Sequence, residues 1–543
     1  MNRFMRNIVR VAAGLAAVAL LVQPGAARAD AAGSVTMDLG RASQGEIPRH
    51  FVGFSVEWSL IERYMGPKAR PAFTRLLSNL GPGVLRIGGS SQDLVPFDPA
   101  APNTNRVITL EDLAAIRATL NATGSSWGVV LGTAMAPPSQ TRPFVGPDHA
   151  RRFVRDGVAP AFADAERRIA GIELGNEPDL SYRDDLESYL GDLTTYSDAS
   201  VTGPFPVIAP NTSEDILPWQ DIDQRTVPTR YFWDWPRILD TNAAVMRERA
   251  GAFGAYASDH FYPLARTCVN RPYRCPNIGA LLSDEHMASL DYQAYVHGQE
   301  TARRGLGYRL EETNTAAGRG ADGVSNVAAS ATYGLDLMFH AACPQPPNAP
   351  GANASCGTGS IGVNFHNAEV RAFFFPEEGN AYYNAINYDP SPAMGAPSAA
   401  PLYYATLLFG RLAQGGTGLR PVAVTPAPGE PADSAAAVKA WRVETGPVER
   451  RLFLINKGDR PATLTVSVPA AAAMVNRMTP YDPTGAGRTL DAPQVRVDGV
   501  QVGTDGAWPG FRPAYVPVRD HTMKITVAAG EAAVITARAE TPS

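Results

Sequence analysis

From about residue 50 to residue 412, short apolar runs alternate with longer stretches whose apolar positions recur at helical spacing. Eight runs read as strands: His50–Trp58, Gly83–Gly89, Trp127–Met135, Ile169–Glu177, Pro206–Asn211, Ala255–Tyr262, Tyr308–Asn314 and Ile361–Asn367. Helical patterns fall between most of them, among them Asp148–Glu166, Trp235–Arg249, Glu285–Arg304 and Asn326–Ala341. Strand and helix in alternation predict a parallel sheet with helical crossovers, and eight such units predict a closed (β/α)8 TIM barrel over residues 50–414. An open doubly wound sheet lacks support, because no G-x-G-x-x-G follows the first strand. The stretches Cys343–Ser360 and Ala393–Ala400, rich in small and turn-forming residues, read as loops, the second leading into a helix over Pro401–Leu412. The pattern then changes. Val438–Val443, Arg451–Ile455, Ala462–Val468, His521–Val527 and Ala532–Ala537 are short strands separated by turn residues, which predicts a β-sandwich over 415–543. Ser34–Leu39, within the segment 30–49, alternates in the same way and is expected to add a strand to it.

The first 29 residues stand apart. Arg3, Arg6 and Arg10 precede the apolar run Val11–Val22, and Ala27-Arg28-Ala29 places small residues where a signal peptidase reads them. The run is shorter than the roughly 20 residues a membrane span needs. A secretory leader with Asp30 as the mature start is therefore expected, and with it a secreted or periplasmic protein without a membrane span. Those 29 residues hold four Arg and no acidic residue, so cleavage moves the net charge from −5 to −9. That balance argues against nucleic acid as a partner and does not favour a long polyanion. Cys268, Cys275, Cys343 and Cys356 are too irregularly spaced for a zinc site. In an oxidising compartment, two local loops are the simplest of their three possible pairings.

Active sites of such barrels lie at the carboxyl ends of the strands. Glu177, in I-E-L-G-N-E-P-D, ends the fourth strand, and a strand tip can supply the burial or nearby negative charge that keeps a carboxylic acid protonated. Glu173, in the same strand, is expected lower in the barrel in a structural role. Cleaving a glycosidic bond takes a second carboxylate across the bond. The seventh strand offers Glu311 and Glu312 in Y-R-L-E-E-T-N, and strict alternation lets only one of them face the barrel axis. The eight histidines show no H-E-x-x-H or similar cluster, and neither a metal nor another cofactor is expected.

The elements L-R-I-G-G-S-S-Q-D, I-E-L-G-N-E-P-D, D-H-F-Y and E-T-N-T-A-A-G, in this order and followed by a β-sandwich containing L-F-L-I-N-K-G, resemble glycoside hydrolase family 79, the family of heparanases and β-glucuronidases. The resemblance implies a retaining glycosidase with Glu177 as acid/base and Glu312 as nucleophile. It implies that Asn176 contacts the sugar 2-hydroxyl, that Tyr262 sits beside the nucleophile and that His260 lines the same pocket. Asp93 would contact sugar hydroxyls. Tyr383 and backbone N–H groups at Gly318 and Gly320 would bind a uronate carboxylate. Two positions depart from the family pattern. Gly318-Arg319-Gly320 replaces consecutive glycines, and Arg319 has the fork to pair with a carboxylate. Tyr383 has Tyr382 beside it and Ala385 where many relatives have proline. The expected partner is a glycan or glycoside containing a uronate. An endo-acting heparanase-like enzyme, a retaining β-glycosidase for a neutral sugar or disaccharide, and a carbohydrate-binding protein with an inactive barrel are the alternatives. The sequence leaves oligomeric state open.

Overall fold

A computed structural model describes residues 31–37, 45–137, 139, 142–213, 233–269, 271–346, 356–369, 379–391, 393–427, 435–446 and 448–538. The expected leader, the end of Ser34–Leu39 and much of the loop Cys343–Ser360 lie outside them. Eight parallel strands form the barrel: β1 (Val52–Glu57), β2 (Gly83–Gly88), β3 (Trp127–Thr133), β4 (Ile169–Leu174), β5 (Val207–Ile208), β6 (Tyr256–Phe261), β7 (Gly307–Thr313) and β8 (Val363–Asn367). They pair in the order β5-β4-β3-β2-β1-β8-β7-β6. The remaining seam, between β5 and β6, is joined just past β5 by a parallel bridge from Thr212 to Asp259 and a hydrogen bond from Asn211 N–H to Ser258 O (2.8 Å). These strands are buried on both faces, as a helix-jacketed parallel barrel requires. Val84, Val130, Ala170, Ile208 and Tyr256 pack together as an apolar layer inside it.

The helices fall where the apolar period put them. Trp235–Glu248, Asp284–Arg303, Ala328–Ala342 and Pro401–Leu412 are α-helical. The pattern at Asp148–Glu166 is less regular: helix Pro147–Arg152 passes through a π-turn at Phe153–Val158 into a last turn at Ala159–Ala161.

The C-terminal region carries two antiparallel-rich sheets. One runs Gly418–Val422, Val438–Glu444, Glu449–Asn456, Ala532–Arg538, Ala472–Tyr481, with Gln494–Val497 and Ala514–Pro517 both on the last of these. The other runs Val424–Pro426, Ala31–Thr36, Ala462–Ser467, Thr522–Val527. The N-terminal strand pairs parallel to Ala462–Ser467. The first sheet packs on the barrel's outer helices. Phe339, on Ala328–Ala342, stacks on Trp441 (5.4 Å between centroids) and meets Phe453 edge-on (4.9 Å). Lys457 reaches from the sheet to Asp336 of the same helix (2.7 Å). Disulfides join Cys268 to Cys275 and Cys343 to Cys356, the two local loops.

Candidate active site

Glu177 stands past the tip of β4, at φ 47°, ψ 57°, a left-handed conformation that non-glycine residues rarely adopt. Pro178 then opens a short helix, Pro178–Tyr182, and the Glu177 N–H donates to Asn211 O (3.1 Å). The carboxyl is thereby aimed across the barrel mouth, with its side chain 22 % exposed and so open to a ligand. Its Oε1 lies 2.8 Å from Nδ1 of His260. The other ring nitrogen of His260 faces Asn211 Oδ1 (3.0 Å), while the Asn211 amide nitrogen donates to Gly175 O (3.3 Å). Because Asn211 presents its oxygen, Nε2 of His260 carries a hydrogen, and in the neutral ring Nδ1 is left to accept. A neutral His260 is then matched to a protonated Glu177, and an imidazolium to an ionised one. Burial, with the charges of Glu312 and Asp179, pushes the Glu177 carboxyl up from the usual range against the pull of His260.

Glu312 is held in the opposite way. Tyr262 donates to its Oε1 (2.7 Å) and Arg86 to its Oε2 (2.6 Å), and Nδ1 of His366 lies 3.5 Å from Oε2. Burial by itself would raise its pKa. The charges of His366, His260 and Arg86 and the Tyr262 hydrogen bond outweigh it, and the carboxylate is held far below the usual range. One oxygen of Glu177 and one of Glu312 lie within 4.8 Å of each other, with a His260 nitrogen in the same radius. The same three atoms could hold a divalent cation, although Arg86 already supplies positive charge to Glu312.

Strict alternation does not describe β7. Asp259 pairs with Leu310 and His260 with Glu312, so Glu311 is an extra residue, a β-bulge. Leu310 joins the outer apolar core, whereas Glu311 and Glu312 are both buried inside the barrel at successive levels. Glu311 accepts from Tyr256 (2.9 Å). Burial and the charge of Glu173 push it up to about 8, a neutral acid beneath an anionic one.

Arg86 of β2 organises this floor. It is fully buried, and each of its N–H groups has an acceptor. Glu173 takes two (2.7 and 2.8 Å), Glu312 one (2.6 Å), Ser55 one (3.0 Å) and Asn176 Oδ1 one (2.8 Å). Since a guanidinium only donates, Asn176 must offer it oxygen, which leaves the amide N–H groups for a ligand. Glu173 thus has the structural position expected of it.

Asp93 closes a short turn, Ser90–Asp93, after β2. Its two oxygens accept from the N–H groups of Met135 (3.1 Å) and Asn176 (3.4 Å), tying the ends of β3 and β4 together. Burial pushes it up to about 7 against those bonds. Tyr383 stacks on Tyr262 (6.2 Å between centroids) and meets His366 edge-on (6.0 Å). Gly318, Arg319 and Gly320 are all left-handed, with φ of 72°, 72° and 75°. A Cβ on Gly320 would come within 2.8 Å of the Tyr383 Cβ, so only glycine fits there. The Gly320 N–H donates to Ala316 O (3.0 Å), an intrachain bond that occupies one of the N–H groups expected to bind a ligand. Arg319 turns its guanidinium to Glu369, donating to its carbonyl (2.9 Å) and lying 3.9 Å from its carboxylate.

No family model matches the chain, and no curated protein matches it. Among solved structures it is similar to a 4-O-α-L-rhamnosyl-β-D-glucuronidase from Fusarium oxysporum (TM-score 0.62, 16% identity, 93% of this chain and 100% of that one). It is also similar to a family 51 α-L-arabinofuranosidase from Bifidobacterium longum (TM-score 0.56, 14% identity, 93% and 99%) and to a family 39 glycoside hydrolase from Xanthomonas axonopodis pv. citri (TM-score 0.52, 12% identity, 94% and 98%). The architecture is one that glycoside hydrolases use.

Three residues of the site carried no sequence assignment. Arg86 lies inside L-R-I-G, where a lone arginine in an apolar strand signals a buried ion pair. His366, in the buried strand V-N-F-H-N, lies between Glu312 and Glu57, its Nε2 3.3 Å from Glu57 Oε1. Glu57, at the end of β1, is fixed by the N–H of Ser91 (2.7 Å) and by its hydroxyl. Nothing in a one-dimensional pattern joins residues 57 and 366.

Proposed function

We propose that the protein is a secreted retaining β-glycosidase, acting on terminal β-linked glucuronic acid. The observation that carries the reading is the pair Glu177 and Glu312: carboxyl oxygens within 4.8 Å of each other, one group held up in pKa and the other held down. A retaining double displacement needs carboxyl groups about 5–5.5 Å apart, whereas an inverting water needs about 6.5 Å or more. Glu312, anionic, attacks the anomeric carbon while Glu177 gives its proton to the leaving oxygen. Glu177 then takes a proton from the water that releases the sugar. Asn176, its oxygen committed to Arg86, offers N–H to the sugar 2-hydroxyl, and Asp93 holds Asn176 in place. Tyr383, stacked on the Tyr262 that donates to Glu312, supports a uronate. The leader at 1–29 and the two disulfides support secretion, and we take 30–49, 50–414 and 415–543 as N-terminal strand segment, catalytic barrel and β-sandwich. The pairing of Arg319 with Glu369 favours a second reading, a neutral glycone.

A panel of 4-nitrophenyl β-glycosides separates the two. Release from the glucuronide and not the glucoside is expected, with the β-anomer as first product by NMR. Release from the glucoside alone establishes the second reading, and an α-anomer first product removes the retaining mechanism.

A further inference from the structure

Two arginines stand at the two ends of the loop that leaves β6. Tyr262 follows β6 directly, and Leu264–Ala265 then pairs parallel with Ala316–Ala317, which leads from β7 into the Gly318-Arg319-Gly320 turn. Arg266 comes next. Its backbone N–H donates to Ala317 O (2.9 Å). Its guanidinium donates to Gly320 O (2.7 Å), Arg319 O (3.0 Å) and Asn380 O (2.8 Å), and lies over the Tyr382 ring, 5.4 Å from its centre. The Tyr382 N–H donates to the same Arg319 carbonyl (2.8 Å). One side chain thus clasps the segments after β6, β7 and β8, where the Gly320 backbone comes close to Tyr383. At the far end of the loop Arg274, 6 % exposed, donates to Tyr262 O (2.6 Å). Tyr262 in turn donates to Glu312 (2.7 Å) and stacks on Tyr383. The Cys268–Cys275 disulfide joins the residue two beyond Arg266 to the residue after Arg274.

A guanidinium suits such a clasp, because its N–H donors form one rigid fork that can reach carbonyls of separate segments. The turn needs the restraint. Arg319 is left-handed without being glycine, a conformation that persists only where its surroundings hold it. Without Arg266 the turn and the segment entering Tyr383 lose their common anchor, while Glu177, Glu312 and Arg86 keep their own bonds. Without Arg274 the backbone of Tyr262 is released behind the hydroxyl that donates to Glu312. We propose that this loop is a positioning element of the glycone pocket: Arg266 acts on glycone binding through the 318–320 turn and Tyr383, and Arg274 acts on Glu312 through Tyr262. This rests on the glycosidase reading of Glu177 and Glu312 and is independent of which sugar the pocket prefers.

The test uses the best substrate in a panel of 4-nitrophenyl β-glycosides. Active molecules are counted by trapping the glycosyl-enzyme with the matching 2-deoxy-2-fluoro glycoside, so that misfolded protein does not enter kcat. Arg266→Met should raise KM by about 10- to 100-fold with kcat nearly unchanged, as when binding is lost equally from ground and transition states. Arg266→Lys, which keeps the charge but not the fork, should raise it less. Arg274→Met should lower kcat by about tenfold and move the acidic limb of kcat/KM to higher pH, because Glu312 is easier to protonate once Tyr262 is loosened. Arg86, His260 and His366 still face Glu312, so the limb should move less than with Tyr262→Phe. Cys268→Ser with Cys275→Ser should show both changes in weaker form, and Cys343→Ser with Cys356→Ser neither. A KM for Arg266→Met within about twofold of the parent, a loss confined to the number of active molecules, or an acidic limb unmoved in Arg274→Met overturns the positioning role and leaves the glycosidase reading standing. A parent inactive on every glycoside overturns both.

Discussion

Replacing Arg86 by methionine should cost the fold more than any other single change at the site. The substitution keeps the volume and apolar stem but removes every guanidinium donor and leaves Glu173 and Glu312 buried without their cation. Three of the lost bonds are charge-assisted on both sides, each worth about 1.5–3 kcal/mol net, while breaking a buried ion pair from one side costs about 3–5 kcal/mol. Relaxation and protonation of the orphaned carboxylates cap the total, so a loss of about 3–5 kcal/mol at pH 7 is expected. Arg86→Lys, with three donors from one point, should lose less. The pH dependence has a definite sign. The folded pKa of Glu312 lies below its unfolded value, so its pairing stabilises fully above the ordinary glutamate range and less as pH falls below it. The gap between parent and Arg86→Met should therefore be widest near neutrality and narrow below about pH 4. Urea unfolding followed by tryptophan fluorescence, repeated across pH, measures it. A variant within about 1 kcal/mol of the parent at pH 7 would refute the account of Arg86 as the charge that holds the floor together.

Four other outcomes follow from the same geometry. Glu312→Ala should abolish turnover and regain part of it with azide as external nucleophile; an unrescued, half-active protein would point to Glu311. Tyr262→Phe removes one hydrogen bond to an ionised acceptor, so kcat/KM should fall by about 10- to 100-fold and its acidic limb move to higher pH as Glu312 becomes easier to protonate. Glu311→Gln should gain stability relative to the parent as pH rises from 5 to 8, by thermal unfolding, because Glu311 has a folded pKa of about 8, above its unfolded value, and so loses stability over that interval. Glu177→Gln cannot exchange a proton with His260, so the basic limb of the kcat/KM profile should disappear along with most activity toward poor leaving groups; an intact limb would assign it elsewhere.

The barrel was legible because its strands are bounded by turn residues and its helices keep their period. Pro401–Leu412 begins and ends where the pattern put it, since a proline starts it and a polar turn follows. The sandwich was read in part. Ala472–Tyr481 carries polar residues on both faces and its alternation is weak, whereas Gln494–Val497 alternates cleanly but spans only four residues, too short a run to stand out. At the site, the tip of β4 could be read from N-E-P. The choice between Glu311 and Glu312 could not be read from alternation, because a bulge is a property of the pairing with β6 and not of the local run. Arg319 shows the same limit. Its left-handed φ and its turn toward Glu369 depend on residues 50 positions away in sequence.

The N-terminal strand gives the molecule an order of assembly. Ala31 pairs with Ala462, and the strands run parallel to Thr36 and Ser467, so one of the first described segments waits for a partner 431 residues further along the chain. A growing polypeptide can close its barrel from neighbouring units, but it cannot bury Val35 in the sandwich core until nearly all of the chain has been made. Until then the segment is an open edge that can pair with other strands. Its docking is expected late in refolding. Pulse-labelled amide exchange should therefore show Ala31–Thr36 and Ala462–Ser467 gaining protection together, after the barrel strands.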